Sequence, residues 1–410
     1  MGRGLLPGAL VAFPVPRGRS ARSWVSVRAV IKRRDFLRTL GLSGAAVLAG
    51  RALEPWPAWA KDPKSSAPAL IVRNTWPEHW ETTLEALGQA YYTSNERFFV
   101  RSHFPVPEVD ISAWRLEVTG LVERPLSLPL SELKKAPQTD AVHVLECAGN
   151  GRGLYKLANT AGTQWERGAV GNARWAGPLL STLLYEAELK PEAKHVWFEA
   201  ADRAPLPGVP PFLRSIPIEK ALQDTMLALR MNGSPLPRLH GGPARIIVPG
   251  WFGMASTKWV TRIRVEATPS DNHWIAKGYH YVYPGEDPAT APPVQELKVK
   301  SIITWPQEGS RLGGGSVRFS GFAWGGPSAV RLVELSLDDG KSWRPAFLDP
   351  AMSPTSWRSW SLDLPVEQHG VVSVMARAID GNGQQQPLEA RANASGYGNN
   401  SIHRVTFRVL

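Results

Sequence analysis

A single cysteine lies in a glycine-rich stretch where a nucleophile or a metal ligand could be placed. The stretch V-L-E-C-A-G-N-G-R-G covers residues 144–153, and Cys147 is the only cysteine among 410 residues. Its alternating glycines would let the backbone turn tightly and approach a ligand closely. One cysteine excludes an internal disulfide, a C-x-x-C pair and a cysteine-rich zinc site. Spacing alone leaves two interpretations open: a functional thiol, or a buried structural cysteine beside a turn.

A second stretch carries residues suited to binding a small anion. In R-S-H-F-P-V-P at residues 101–107, Arg101 and His103 would point the same way from an extended backbone. Arg152, which follows the cysteine, could join them. Arginine suits an oxyanion because its planar fork stays charged and donates to two oxygens at once. The alternative for each arginine is a solvated strand face.

A third stretch could hold a phosphate group. It reads H-G-G-P-A-R-I-I-V-P-G-W-F-G-M-A-S-T-K-W and covers residues 240–259. Its charged and hydroxyl side chains could bind phosphate together with the amides of a glycine-rich turn. These residues are His240, Arg245, Ser256, Thr257 and Lys258. The alternative is a buried strand followed by a loop, with the lysine merely exposed.

The charge distribution argues against a nucleic-acid partner. The formal net charge is +11, from 47 basic and 36 acidic residues. Residues 1–60 hold ten of the basic and two of the acidic residues, which accounts for +8. No basic run with interleaved aromatic residues stands out in the remainder, so we expect no nucleic-acid binding. A hydrophobic content of 43% with 20% charged residues fits a folded globular protein.

The first 60 residues have the order of features that an export signal has. Twin arginines at 33–34 precede the uncharged run L-G-L-S-G-A-A-V-L-A-G and then A-W-A at 58–60. We therefore expect residues 1–60 to be a twin-arginine signal peptide that sends the folded protein to the periplasm. The apolar run is too short to span a bilayer and no longer one follows, so we expect no membrane span. The alternative is a basic arm ahead of a buried helix.

Hydrophobic periodicity predicts an α+β part. W-R-L-E-V-T-G-L at 114–121 alternates apolar and polar residues, and buried strands are expected at 141–145 and 244–250. Short helices are expected at 179–187 and 218–222. The pattern shows no regular alternation of strand and helix.

An all-β part is expected after a linker. Four prolines at 284–296 indicate a connecting segment without a core. Beyond it, short alternating runs are separated by the turn signals D-D-G and D-G-N-G. We expect an immunoglobulin-like sandwich at 295–410.

Together these segments resemble the sulfite oxidase family of mononuclear molybdenum enzymes. T-S-N-E-R-F-F-V-R-S-H-F-P-V-P, L-E-C-A-G-N-G-R and M-N-G-S-P-L-P-R-L-H-G-G-P-A-R-I-I-V-P-G occur in the family's order and spacing. V-E-L-S-L-D-D-G-K-S-W resembles the start of its dimerisation domain. The resemblance implies a sulfite-oxidase-type molybdopterin-binding catalytic domain at 61–285 and a dimerisation domain at 295–410. It also implies a molybdenum–pyranopterin cofactor.

The resemblance assigns roles residue by residue. Cys147 matches the cysteine whose thiolate binds molybdenum, a soft ligand for a metal that changes oxidation state. Arg101, Arg152 and Tyr279 match the substrate pocket, and Tyr281 is the alternative tyrosine in K-G-Y-H-Y-V-Y-P. The positions that match cofactor contacts are His103, Asp202, His240, Arg245, Ser256, Thr257 and Lys258.

One further arginine, Arg404, matches a residue that reaches the anion pocket from the C-terminal domain. Its position in H-R-V near the end of the sequence also fits the exposed face of a terminal strand. Both interpretations stay open at the level of sequence.

The resemblance implies oxidation of sulfite to sulfate by oxo transfer at the molybdenum centre. The chain has no C-x-x-C-H motif, so we expect no haem in it and a separate cytochrome c as acceptor or subunit. A homodimer or a heterodimer with a cytochrome is expected. The nearest alternative is the molybdenum subunit of a sulfane dehydrogenase of thiosulfate oxidation. Weaker alternatives are a protein-methionine-sulfoxide reductase and a non-catalytic exported binding protein.

Overall fold

β-Strands dominate the structure, a computed structural model that describes residues 69–155 and 160–410. The expected signal peptide at 1–60 lies outside the described residues. Within them, no helix is long and apolar enough to cross a membrane.

Short strands and helices alternate irregularly before the expected linker. The strands are β1 (Leu70–Asn74), β2 (His79–Thr82), β3 (Val100–Arg101), β4 (Arg115–Gly120), β5 (Leu126–Pro129), β6 (Thr139–Glu146), β7 (Val170–Gly177), β8 (His195–Ala200), β9 (Arg214–Pro217), β10 (Met226–Ala228), β11 (Arg230–Met231), β12 (Ser234–Pro235), β13 (Arg245–Ile247) and β14 (Val260–Glu266). The helices are α1 (Leu84–Gly88), α2 (Leu130–Leu133), α3 (Leu180–Glu186), α4 (Ile218–Gln223) and α5 (His273–Ala276), with 3₁₀ turns at Arg152–Tyr155, Arg238–His240 and Gly253–Ala255.

The part after the expected linker contains strands alone among the described elements. They are β15 (Lys300–Trp305), β16 (Arg311–Leu312), β17 (Gly315–Trp324), β18 (Val330–Ser336), β19 (Arg344–Pro345), β20 (Phe347–Leu348), β21 (Arg358–Val366), β22 (Gly370–Asp380) and β23 (His403–Val409).

One five-stranded sheet forms the base of the N-terminal part, in the order β5-β4-β14-β8-β9. Its centre is the parallel pair of β4 and β14, and the other pairings are antiparallel. Leu116 and Val118 of β4 are fully buried while Arg115 is exposed, as the alternation at 114–121 predicts. Leu183 of α3 and Ala221 of α4 share the hydrophobic core of this sheet.

Two other pairings bring the chemistry-bearing stretches together. The antiparallel partner of β6 is β7, in a sheet of order β12-β11-β7-β6, and β6 ends one residue before Cys147. The antiparallel partner of β13 is β10, whose neighbour in sequence, β11, pairs with β7. The expected buried strands at 141–145 and 244–250 are therefore confirmed, although β13 spans only three residues.

The C-terminal part is a sandwich of two sheets, with strand orders β15-β17-β21-β20 and β16-β23-β22-β18-β19. Both sheets contribute to one core, in which Phe319 of β17 faces Phe407 of β23 with ring centroids 5.8 Å apart. The all-β prediction is confirmed for this part. The immunoglobulin-like assignment and the exact domain limits at 61–285 and 295–410 stay predictions.

The segment at 284–296 is not a linker without a core. Val294 is almost fully buried in a cluster that includes Phe252 from the N-terminal part and Trp324 from the sandwich. Backbone bonds hold the segment on both sides, from Phe252 to the carbonyl of Gln295 at 2.8 Å and from Val294 to the carbonyl of Tyr279 at 2.7 Å. The four prolines indicated a linker, but the segment packs against both parts and joins them.

A buried carboxylate links the sandwich to the strand before the cysteine. Glu146 and Lys300 are each 2% exposed, and their carboxylate and ammonium groups lie 2.7 Å apart. The second carboxylate oxygen accepts a bond from the Trp324 indole at 2.8 Å, and Asn150 donates to the first at 2.9 Å. Two of these partners come from β15 and β17 of the sandwich, so Glu146 ties both parts of the protein together.

Replacing Lys300 with methionine should lower the free energy of unfolding by about 3–5 kcal/mol, because it leaves the buried Glu146 carboxylate without its counter-ion. The double variant with Glu146→Gln should recover much of this loss, since a neutral amide can still accept from Trp324. Urea unfolding of equally cofactor-loaded proteins measures both changes.

The matched control is the exposed pair of Arg124 and Glu188, whose side chains are more than half exposed. Arg124→Met should change stability by about 0–1 kcal/mol. An equal effect at Arg124 and Lys300 would show that burial does not set the importance of the Glu146 pair.

Candidate active site

A pocket lies where β6, β13 and β3 end. It encloses about 740 Å³ of empty space, open solvent at its mouth included. Ten of the twelve site residues expected from sequence line it: Arg101, His103, Cys147, Asp202, His240, Arg245, Ser256, Thr257, Lys258 and Tyr279. The exceptions are Arg152 and Arg404.

Cys147 is presented to the pocket by a tight turn at the end of β6. Its amide donates to the carbonyl of Ala169 at 2.9 Å, and its carbonyl accepts from Asn150 at 2.9 Å. Gly151 adopts φ 88°, a conformation that favours glycine, so the glycine-rich sequence is required for this turn. No group of three or more His, Cys, Asp or Glu side chains that could hold a metal occurs among the described residues. A metal here would have one thiolate from the protein and its other ligands from a cofactor.

A loop of the sandwich part forms hydrogen bonds to the same turn. The Gly398 amide donates to the carbonyl of Ala148, and the Asn399 side chain donates to the carbonyl of Gly151, both at 2.8 Å. Arg152 Nε in turn donates to the carbonyl of Ser395 at 2.8 Å. The cysteine turn is thus fixed from the C-terminal part as well as by β6.

One end of the pocket has buried donors without acceptors. Arg245 donates to the carbonyls of His240 at 2.9 Å and Ser256 at 3.0 Å, yet its Nε is buried and has no partner. Thr257 Oγ1 is likewise buried without a partner. Burial lowers the pKa of Arg245 to about 9, and no carboxylate of the described residues forms an ion pair with it. Such donors fit an anionic group bound between them.

Lys258 adds a second positive charge at this end. Its Nζ donates to Ser102 Oγ at 2.9 Å and to the carbonyl of Leu239 at 3.1 Å. Burial, followed by the nearby Arg245 charge, holds the pKa of Lys258 well below its usual value. Burial also raises the pKa of Asp202, another residue of the pocket, to about 6. A bound phosphate would offset the repulsion between the two cations.

The pocket also contains a further cation and a phenol. Arg101 lies there, and no carboxylate of the described residues forms an ion pair with it. Tyr279 Oη lies 3.0 Å from His103 Nε2, and the His103 ring stacks on Phe212 with centroids 3.8 Å apart. Burial raises the pKa of Tyr279, so the phenol stays protonated and able to donate.

The structure decides between the two candidate tyrosines by position. Tyr279 lines the pocket, whereas Tyr281 does not. The Tyr281 ring lies under the ammonium group of Lys298, 4.5 Å from it, and its hydroxyl is buried without a partner. Tyr279 is the pocket tyrosine.

The placement expected for Arg404 is wrong. Along β23, His403 and Val405 face the interior, so the period of two turns Arg404 outward. There its guanidinium pairs with Asp339 and lies 3.4 Å from the hydroxyl of Ser373. The exposed-strand alternative is the correct one.

Arg152 stands behind the pocket wall rather than in it. Its guanidinium donates to the carbonyls of Ser395 and Thr163, the latter at 2.9 Å. Its Cζ lies 5.3 Å from the ring centre of Tyr397, which stacks on Tyr279. Arg152 therefore contacts the pocket tyrosine through a second aromatic ring.

Comparison with known proteins places this site in a family. An oxidoreductase molybdopterin binding domain model matches residues 103–274, and a Mo-co oxidoreductase dimerisation domain model matches residues 291–409. Mitochondrial sulfite oxidase of Rattus norvegicus is 36% identical over 379 residues, which cover 86% of this chain and 69% of the rat protein. Sulfite oxidase of Arabidopsis thaliana is 30% identical over 83% of this chain and 94% of its own. The chain belongs to the sulfite oxidase family.

A solved structure agrees with this assignment. The sulfane dehydrogenase SoxCD from Paracoccus pantotrophus has a TM-score of 0.73 and 29% sequence identity, over 89% of this chain and 96% of that chain. The family resemblance read from the motifs is therefore confirmed, and the chain is a molybdopterin-dependent oxidoreductase of this family.

The residues in the pocket fit a molybdenum–pyranopterin cofactor. Cys147 supplies one soft sulfur donor, which suits molybdenum. Arg245, Thr257 and Lys258 supply unpaired positive charge and an unused hydroxyl, which suits the cofactor's phosphate.

Sequence reasoning missed two residues beside the pocket. Arg214 of β9 is 7% exposed, and its Cζ lies 5.0 Å from the ring centre of Tyr279. Tyr397 also stacks on that ring, with centroids 5.1 Å apart. An arginine at an inward position of a strand was a readable signal. Tyr397 lies in a loop without hydrophobic periodicity, so no sequence pattern indicated its role.

Thr257→Val should lower the molybdenum content of the purified protein several-fold, because it removes a hydroxyl whose bond we assign to the cofactor. The same change should alter the stability of cofactor-free protein by less than about 1 kcal/mol, since no protein group loses a hydrogen bond. Metal analysis and urea unfolding measure the two effects.

Thr225→Val is the matched control. Thr225 is buried, and its hydroxyl donates to the carbonyl of Lys220 at 2.9 Å. This variant should lose about 1–3 kcal/mol of stability and keep its molybdenum. The reverse pattern in the two variants would refute the assignment of Thr257.

Proposed function

We propose that this chain oxidises sulfite to sulfate and passes the electrons to a separate cytochrome c. The observation that carries the proposal is the placement of Arg101 and Tyr279 in the pocket that Cys147 enters. A cation without a carboxylate partner and a protonated phenol form a receptor for a small oxyanion. The sulfite oxidase relatives support the same substrate.

Arg101 would bind two oxygens of the sulfite ion through its planar fork and offset their charge. The Tyr279 hydroxyl would donate to a third oxygen, with His103 at 3.0 Å fixing the direction of the phenol. The stacked rings of His103 and Phe212 would exclude water from this side, which strengthens both interactions. Held by its oxygens, sulfite would present its sulfur lone pair toward the Cys147 side of the pocket.

The bound molybdenum cofactor supplies two-electron redox chemistry and oxygen transfer. The overall reaction is SO₃²⁻ + H₂O → SO₄²⁻ + 2H⁺ + 2e⁻, so two one-electron acceptors are reduced for each sulfite. In this reaction the protein orients the anion and stabilises its charge, and it holds the Tyr279 proton in place.

The cellular setting is part of the proposal. The twin arginines at 33–34 and the A-W-A at 58–60 support export of the folded protein to the periplasm. The match to a dimerisation domain model at 291–409 supports a homodimer, and a heterodimer with a cytochrome is the alternative assembly. The lack of a C-x-x-C-H motif supports an acceptor haem on another protein.

A second candidate function is sulfane dehydrogenation, which the similarity to SoxCD favours. Steady-state assays with cytochrome c separate the two, with sulfite as one substrate and a thiosulfate-derived sulfane as the other. Saturable turnover of sulfite alone supports the first proposal. Turnover of the sulfane alone supports the second.

Arg101→Gln should raise the KM for sulfite by about 10- to 100-fold, because one or two charge-assisted hydrogen bonds are lost. Molybdenum content should stay normal, since the proposal assigns Arg101 to the substrate and not to the cofactor. Arg115→Gln, on the exposed face of β4, is the control and should leave KM unchanged. Normal sulfite kinetics in Arg101→Gln would remove this residue from substrate binding.

A further inference from the structure

Four side chains from distant parts of the sequence form a continuous stack beside the pocket. Arg152 lies over Tyr397 at 5.3 Å, Tyr397 stacks on Tyr279 at 5.1 Å with 17° between the ring planes, and Arg214 lies over Tyr279 at 5.0 Å. The stack therefore has a guanidinium at each end and two phenol rings between them. Of the four, only Tyr279 lines the pocket.

Each cation of the stack is held by backbone carbonyls and not by a carboxylate. Arg152 donates to Ser395 and Thr163, and Arg214 donates to the carbonyl of Trp274. No carboxylate of the described residues forms an ion pair with either arginine, and Arg214 Nε is buried without a partner. The faces of the two rings are the groups that these charges approach.

The loop that carries Tyr397 is held by several bonds that do not involve its aromatic ring. The loop is fixed by backbone and amide bonds, from Gly398 to Ala148 at 2.8 Å, from Asn399 to Gly151 at 2.8 Å, and from Asn393 to the Tyr397 carbonyl at 2.8 Å. The ring instead fills the space between Arg152 and Tyr279. Its contacts therefore serve the position of those two side chains.

A cation above an aromatic face and a stacked ring below it restrict the tilt and slide of that ring. Tyr279 is restrained in this way by Arg214 and by Tyr397. The bond between its hydroxyl and His103 fixes the position of the hydroxyl end of the ring. The stack also places two positive charges without carboxylate partners beside the rings of Tyr397 and Tyr279, which favours an anion nearby.

We propose that Tyr397 is a positioning residue for oxyanion recognition, which orders Tyr279 and Arg152 through ring stacking and acts together with Arg214. This rests on the proposed function for the identity of the substrate. It also replaces the role that Arg404 was expected to play: the C-terminal part completes the site with an aromatic ring and not with a charge.

The test compares Tyr397→Leu, which removes the ring, with Tyr397→Phe, which keeps it. In the molybdenum-loaded enzyme, Tyr397→Leu should raise the KM for sulfite about 10-fold while kcat changes by less than about threefold. Tyr397→Phe should stay within about twofold of the unsubstituted enzyme in both. A loss in kcat with unchanged KM, or an equal loss in Phe and Leu variants, would overturn the proposal.

A binding measurement makes the test independent of turnover. Calorimetric titration with inorganic sulfate should show about 10-fold weaker binding to Tyr397→Leu than to Tyr397→Phe. If the unsubstituted protein fails to oxidise sulfite but this difference persists, the proposed function is wrong and the role of the stack stands. Equal sulfate affinity in both variants, or no saturable sulfate binding to the unsubstituted protein, would overturn the inference.

Tyr397→Met guards against a misfolded leucine variant. Its unbranched side chain fills space but cannot stack, so a folded Met variant should share the weakened sulfate affinity. Molybdenum content and the thermal midpoint establish that the proteins compared are intact. Sulfate affinity in an intact Met variant equal to that of the Phe variant would contradict the need for a ring.

Discussion

The carboxylate of Glu146 is the point on which the arrangement around the pocket depends. It lies one residue before Cys147 and accepts bonds from Lys300, Trp324 and Asn150, so a single buried group connects the cysteine turn to two strands of the sandwich. A buried carboxylate is costly unless each of its oxygens is satisfied, and here each one is. The cost of separating these partners holds the two parts in one relative position. The side chains around the pocket are therefore held in one arrangement.

The cations of the pocket have no carboxylate partners, and a bound anion would supply the missing negative charge. Arg245, Lys258 and Arg101 form no ion pair with a described carboxylate. Burying such charges lowers stability in the absence of an anion and raises affinity in its presence. A phosphate beside Arg245 and Lys258 and a sulfur oxyanion beside Arg101 are the groups that this charge pattern is suited to bind. The same logic explains why the stack of two guanidiniums and two phenols contains no acid.

Sequence patterns revealed most of this site because its residues lie in a few contiguous stretches. The stretch at 240–259 carries five of the ten expected residues that line the pocket, and the stretch at 101–107 carries two, so short motifs identified residues that the fold then brought together. Strands with period-two alternation, such as β4 and β22, were also readable. Contacts between residues far apart in sequence could not be predicted from these patterns. Whether Arg404 faced the pocket depended on the register of β23, which sequence alone did not specify.

Other features were hidden for related reasons. Tyr397 belongs to a loop, and its partners lie far away in sequence, so no local pattern marks it. Val294 lies among prolines, which normally indicate an exposed linker, so its burial was not predicted. The pairing of Glu146 with Lys300 joins residues separated by 154 positions. Such contacts follow from the packing of the two parts against each other, which no single segment encodes.

The central claim is that Cys147 is the protein's ligand to molybdenum in a pocket completed by both parts of the chain. X-ray absorption at the molybdenum edge tests it most directly, comparing the unsubstituted protein with Cys147→Ser and normalising to bound molybdenum. The account predicts one sulfur neighbour fewer in the serine variant. The same number of sulfur neighbours in both proteins would contradict it.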